Sequence, residues 1–262
     1  MLIRRHLDKA FLEANNFFSV LLLTGARQVG KTTFLKEIAT SGRKFVSLDP
    51  LDERTRAERD PRLFLADNPP PVIIDEIQHV PQLLPYIKEI VDNVRTREPE
   101  KAHGMYWLTG SQKFELMHGV SESLSGRIGI FNMHPLSNRE LNNVETEPFR
   151  PDRFAAGKTY PLSSAEIFHR IWLGAYPGLV CSRTPDKHWT AFYQSYVQTY
   201  LERDIRKLAQ DEPVVEVLSQ YMPVAISKPL AESIELLLRH SSETMVQKSL
   251  LRSLIGISAH KH

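Results

Sequence analysis

The sequence predicts an α/β fold in which a parallel β-sheet is sandwiched by helices. Three observations predict it. The apolar runs Phe18 to Leu23, Val72-Ile73-Ile74 and Met105 to Leu108 are short and uninterrupted, as strands buried on both faces require. Segments with apolar residues at helical spacing lie between these runs, so strand and helix alternate along the chain. Turn residues punctuate them, as Asp49-Pro50 does after Phe45 to Leu48.

Taken in order, Leu2, Ile3, Leu7, Phe11 and Leu12 fall on one face of a helix over residues 2–14. The strand over 18–23 follows, then a helix over 33–39, a strand over 45–48, a charged helix over 51–59 and a short one over 62–66. Pro69-Pro70-Pro71 forbids helix and forces an extended entry into the strand at 72–74. Pro81 opens a helix through Leu84, Ile87, Ile90, Val91 and Val94. Strands over 105–108 and 128–131 complete the set. These elements make a core over residues 1–143. A stretch rich in Pro, Glu and Gly at 144–162 reads as a linker. Helical patterns return over 165–173 and 189–208, within a smaller helical region at 163–210. The tail at 211–262 shows short amphipathic segments.

A chain of 262 residues holds one large domain or two modest ones. Its 42 % hydrophobic and 24 % charged residues are ordinary for a globular protein, which disfavours disordered, collagenous and coiled-coil classes. A net charge of +2 argues neither for nor against a polyanionic partner. Cys181 stands alone, so the chain builds no disulfide and no cysteine-based zinc site, and a reducing, cytoplasmic setting fits. No apolar run reaches the roughly 18 residues a bilayer crossing needs. Arg4 and Arg5 ahead of Phe17 to Leu23 mimic a signal peptide, but the apolar run leads straight into the chain's most specific motif, which cleavage would destroy.

That motif is Gly25-Ala26-Arg27-Gln28-Val29-Gly30-Lys31-Thr32, a match to G-x-x-x-x-G-K-[ST] between a strand and a helix. Glycines let the main chain curl until successive N–H groups face phosphate oxygens, and the helix that follows adds its positive end. Lys31 reaches the β- and γ-phosphates in such a loop, and Thr32 places its hydroxyl on Mg²⁺. A carboxylate must share that ion, and Asp75 ends the apolar strand where open α/β sheets bind ligands. Glu76 beside it is placed to polarise an attacking water. Ser111 in Thr109-Gly110-Ser111-Gln112 is the preferred γ-phosphate sensor, with Thr109 and Gln112 behind it; a helix N-cap at Ser111 is the plainer alternative. Arg127 precedes the last strand and either neutralises transition-state charge, in its own subunit or a neighbour's, or is structural. An [NT]-K-x-D element, H-E-x-x-H and G-x-S-x-G are all absent, which disfavours common GTPases, zincins and hydrolase elbows.

Together, Gly25 to Thr33, Ile74-Asp75-Glu76-Ile77-Gln78, Leu108 to Gln112, Ser123-Leu124-Ser125-Gly126-Arg127 and Pro135-Leu136-Ser137 resemble the prokaryotic AAA-type P-loop ATPases usually fused to a C-terminal domain of unknown function (DUF4143). Gly174-Ala175-Tyr176-Pro177 and Tyr200 to Arg206 extend the likeness to about residue 210. The resemblance implies an AAA-like core with strand order 5-1-4-3-2, a helical lid over 163–210 and a winged-helix segment. From about Glu212 the family pattern is lost, and truncation or a shifted reading frame is the expected cause. Three functions compete. The first is Mg-ATP hydrolysis to ADP and phosphate, driving a conformational change in a client, with Gly25 to Thr33 binding ATP and an arginine in trans requiring a homo-oligomer. The second is a nucleotide-gated binding module with negligible turnover. The third is an ATPase accessory to nucleic-acid processing, resting on the implied winged helix and on Arg203, Arg206 and Lys207, which are more often a solvated face.

Overall fold

The computed structural model describes residues 3–39, 42–110, 120, 123–144, 162–196 and 198–199. In chain order these form α1 (Leu7–Asn15), β1 (Val20–Thr24), α2 (Lys31–Ile38), β2 (Lys44–Ser47), α3 (Leu51–Arg59), α4 (Pro61–Asp67), β3 (Val72–Asp75), α5 (Leu83–Arg97), β4 (Tyr106–Thr109), β5 (Ile128–Asn132), α6 (Asn138–Leu141), α7 (Ser164–Leu173), α8 (Pro177–Val180) and α9 (Pro185–Tyr196). Short 3-10 turns lie at Ile77–His79 and Pro99–Lys101.

The five strands are all parallel and run in the order β2-β3-β4-β1-β5, the order that the family resemblance implies. Val20 pairs with both Tyr106 and Ile128, and Val72 with Lys44 and Tyr106. The central strands β1, β3 and β4 are buried along their whole length, which is why their sequences read as unbroken apolar runs. Alternate residues serve opposite faces. Val20, Leu22, Val72, Ile74, Tyr106 and Leu108 pack with Phe64 and Leu65 of α4 and Ile87 and Val91 of α5. Leu21, Leu23, Ile73 and Trp107 pack with Phe11 of α1 and Phe34 and Leu35 of α2. Phe11 meets Trp107 edge-on, ring centres 5.1 Å apart, and so anchors α1 to the sheet centre.

Element boundaries shift modestly from the sequence expectation. The first helix begins at Leu7 rather than residue 2, because Arg5 is drawn away from the helix into a buried ion pair described below. The fifth helix starts at Leu83; Pro81 sits in the preceding turn, where the Leu84 N–H donates to its carbonyl at 3.0 Å. Elements absent from the sequence expectation include α6, opened by a capping box in which Ser137 and Glu140 bond each other's backbone N–H, and the 3-10 turn after Glu76.

The chain divides into two compact units, Met1–Val180 and Cys181–His262. This boundary falls inside the 163–210 segment. In the first unit, the turn between α7 and α8 joins the core: the Leu136 N–H donates to Ala175 O at 2.9 Å, and Tyr176 packs beside the Phe11 cluster. In the second, α9 carries the ring series Trp189, Phe192, Tyr193 and Tyr196. Arg203, Arg206 and Lys207, most of the 144–162 linker and the 211–262 tail lie outside the described residues. No helix among the described residues is long and apolar enough to cross a membrane.

Candidate functional site

A sheet with every strand parallel sends all its carboxyl ends to one edge, and three loops meet there. The loop after β1 departs at Gly25, whose φ of 144° suits glycine. A Cβ at Gly25 would stand 2.3 Å from the carbonyl oxygen of Met133, so this glycine also lets the loop lie against the segment after β5. Gln28 and Gly30 add left-handed conformations, φ 62° and 95°, and complete the curl before α2 begins at Lys31. Val29 is buried, whereas Ala26, Gln28 and Thr33 are exposed.

Lys31 folds back into this curl. Its Nζ donates to the carbonyls of Gly25 and Ala26, each at 2.9 Å. Burial pushes its pKa below the ordinary 10.5, against the pull of Glu76 and Asp75. On the neighbouring loop, Asp75 at the end of β3 accepts the Thr32 hydroxyl at 3.0 Å and the Thr109 hydroxyl at 2.5 Å. Burial raises the Asp75 pKa above the ordinary 3.8, opposed by those two hydroxyls. Thr109 also accepts the Glu76 N–H at 3.0 Å, so one hydroxyl at the end of β4 fixes both Asp75, the last residue of β3, and Glu76 after it. Glu76 adopts φ 60°, ψ 44°, rare for a residue with a side chain, and its carboxylate accepts the Gln78 amide.

The structure therefore brings together the glycine loop, Lys31, Thr32, Asp75 and Glu76. Ser111 and Gln112 lie outside the described residues. Arg127 is not brought to this edge. Its carbonyl accepts the Val20 N–H at 3.1 Å, which sets it level with the start of β1, about 16 Å from the loop along a strand rising about 3.3 Å per residue. There its guanidinium holds Asp92 of α5, Nη2 to Oδ2 at 3.0 Å. That topology sets Arg127 apart from the Lys31 loop of its own subunit.

Two residues that the motif reading passed over support the loop from behind. Arg5, buried, donates to the carbonyl of Val29 at 3.0 Å and to Glu140 Oε1 at 3.0 Å. Glu140 in turn accepts the N–H groups of His6 and Ser137 at 2.9 Å and 2.7 Å. The Ser137-x-x-Glu140 spacing was a legible signal for part of this brace; nothing in the sequence tied Arg5 to it.

The donor set fits a magnesium-bound nucleotide. Thr32 and Asp75 offer hard oxygen ligands beside a phosphate loop, and Mg²⁺ ordinarily takes one or two protein oxygens along with phosphates and water. Among the described residues no group of three acidic, histidine or cysteine side chains could hold a metal by itself.

Comparison with known proteins agrees with this geometry. Residues 18–142 match a family model described as an AAA domain. Residues 164–260 match a domain of unknown function (DUF8612), which runs through the tail for which the motifs suggested no family and differs from the domain that the resemblance implies. Uncharacterized proteins of Mycobacterium bovis and Mycobacterium tuberculosis are each 30 % identical over 192 residues, 72 % of this chain and 36 % of theirs. The chain thus spans about a third of the length of the curated relatives it matches. A Walker-type ATPase of Pyrococcus abyssi superposes with a TM-score of 0.51 at 14 % identity, over 97 % of this chain and 89 % of that one, a likeness of fold. Glycine loop, sheet order and family match converge on an AAA domain of the P-loop ATPase type over residues 18–142, which supports nucleotide binding and ATPase chemistry as its general class.

Proposed function

We propose that this chain binds Mg-ATP at the carboxyl edge of the sheet and hydrolyses it, using the cycle to change the conformation of a client. The observation that carries this reading is the hydroxyl–carboxylate cluster of Thr32, Asp75 and Thr109 set against the loop that encloses Lys31. Gly25 to Thr33 wrap the phosphates, and Lys31 exchanges two carbonyl partners for β- and γ-oxygens. Thr32 and Asp75 hold magnesium, which supplies charge neutralisation on those oxygens. Glu76 accepts a proton from water as the water oxygen bonds to the γ-phosphorus and the bond to the bridging oxygen breaks, releasing ADP. Ser111 senses the γ-phosphate.

Replacing Glu76 by Gln tests this division of labour. ATP affinity should hold while turnover drops by roughly 10²–10⁴, the usual weight of a general base. Equal turnover in the two proteins removes Glu76 from the chemistry.

A second reading has Arg127 in its favour. Because its own subunit keeps it on Asp92 at the far edge, an isolated chain is expected to hold ATP and turn it over slowly, with Arg127 serving a neighbour's site in a homo-oligomer. A specific rate that rises with protein concentration distinguishes assembly from a module that only binds.

A further inference from the structure

Glu76 is fixed at the backbone from both directions. Its N–H donates to Thr109 Oγ1 at 3.0 Å, and its carbonyl accepts the His79 N–H at 3.0 Å. Among the described residues its carboxylate has one hydrogen-bond donor, the Nε2 of Gln78, two residues on in the 3-10 turn. Chemistry fixes the orientation of that amide, since exchanging its ends would set Oε1 against a carboxylate oxygen.

The remaining amide atom, Gln78 Oε1, is buried and has no hydrogen-bond donor among the described residues. A buried acceptor without a donor subtracts from stability. A methionine of similar length would fill the same space without that penalty. Packing therefore does not explain an amide here, whereas the bond to Glu76 does. Positions that sacrifice fold stability in this way are those where function sets the residue.

We propose that Gln78 is a positioning residue: it ties Oε2 of Glu76 so that Oε1 of the same carboxylate is turned to the attacking water. The inference rests on the proposed role of Glu76 as base. Without Gln78 the carboxylate keeps its place on the chain but rotates among orientations, and the loss falls on the chemical step rather than on nucleotide binding.

The experiment compares the full chain with Gln78→Met and Gln78→Glu, measuring kcat and KM for ATP and the thermal midpoint. For Gln78→Met, kcat falls at least about tenfold, KM stays within about twofold and Tm equals or exceeds that of the starting protein. For Gln78→Glu, which keeps the length of the side chain but turns a donor into a second carboxylate that repels Glu76, kcat falls at least as far as in Gln78→Met while KM again stays within about twofold. Unchanged kcat in Gln78→Met overturns the proposal, as does a joint loss of Tm and ATP affinity, the mark of a structural role. Unchanged kcat in Gln78→Glu overturns it independently. If Glu76→Gln is impaired while Gln78→Met is normal, this inference alone falls. If Glu76→Gln itself turns over normally, the base assignment falls and takes this inference with it.

Discussion

Thr32 and Asp75, 43 positions apart, meet through one hydroxyl that reaches both carboxylate oxygens, at 3.0 Å and 3.2 Å. The contact joins the first turn of α2 to the end of β3. With Thr109 on its other side, Asp75 is enclosed by hydroxyls in a place where burial opposes its charge.

That enclosure sets a sign. Burial raises the Asp75 pKa above 3.8, so the folded chain binds this proton more tightly than the unfolded chain does. Stability contributed by this group therefore falls as pH climbs from 3.8 through the raised value, and at neutral pH the carboxylate opposes folding. Asp75→Asn keeps an acceptor for Thr32 and Thr109 without the charge. Its ligand-free Tm should rise by about 2–4 °C, equivalent to about 1 kcal/mol, while magnesium-dependent turnover disappears. Calorimetry showing a lower Tm contradicts this.

The brace behind the loop predicts the opposite behaviour. Arg5 and Glu140 are both buried, 8 % and 7 % exposed, and bonded at 3.0 Å. Arg5→Ala leaves a buried carboxylate without its partner and should lose about 3–5 kcal/mol in urea unfolding. Nucleotide affinity should fall with it, because the Val29 carbonyl loses its donor. Burial acts to raise the Glu140 pKa, but the N–H groups of Ser137 and His6 and the charge of Arg5 hold it below 4.5. Its contribution is thus complete above pH 4.5 and drains away as pH falls through the lowered value, so Glu140→Gln flattens the acid side of the stability profile.

Gly25 admits no side chain. Gly25→Ala combines a φ of 144° with a Cβ 2.3 Å from Met133 O, and should cost on the order of 2–3 kcal/mol. A crystal structure of the variant should show the loop displaced from Met133. Unaltered Tm and ATP affinity would contradict the close approach.

For Arg127, stability and catalysis separate. Its partly exposed pair with Asp92 is worth at most about 1 kcal/mol, so Arg127→Ala should unfold almost as the starting protein does. If the residue serves a neighbouring subunit, the variant loses the concentration-dependent part of ATP turnover, by about 10³-fold or more, with affinity intact. Retained turnover at high protein concentration removes the trans role.

Much of this was legible beforehand because buried parallel strands must be apolar throughout and because a phosphate loop tolerates few residues. Val72-Ile73-Ile74, ending in Asp75, announced both its place in the sheet and its edge. What stayed hidden depends on residues distant in sequence. Arg5 looked like part of an amphipathic helix, yet it turns inward to Glu140, 135 positions on. Thr109 stood behind Ser111 as a sensor, and its hold on Asp75 and Glu76 needed the β3–β4 register to emerge. Arg127 carried a chemically reasonable role, but its distance from the loop follows from strand direction, which single residues do not encode.

Calorimetric titration of a nonhydrolysable ATP analogue with magnesium, into this chain and into Lys31→Ala, tests the phosphate cradle most directly. The account predicts one site per chain, weakened when magnesium is chelated and lost in the variant. Equal heats in both proteins, or none in the unaltered chain, would contradict it.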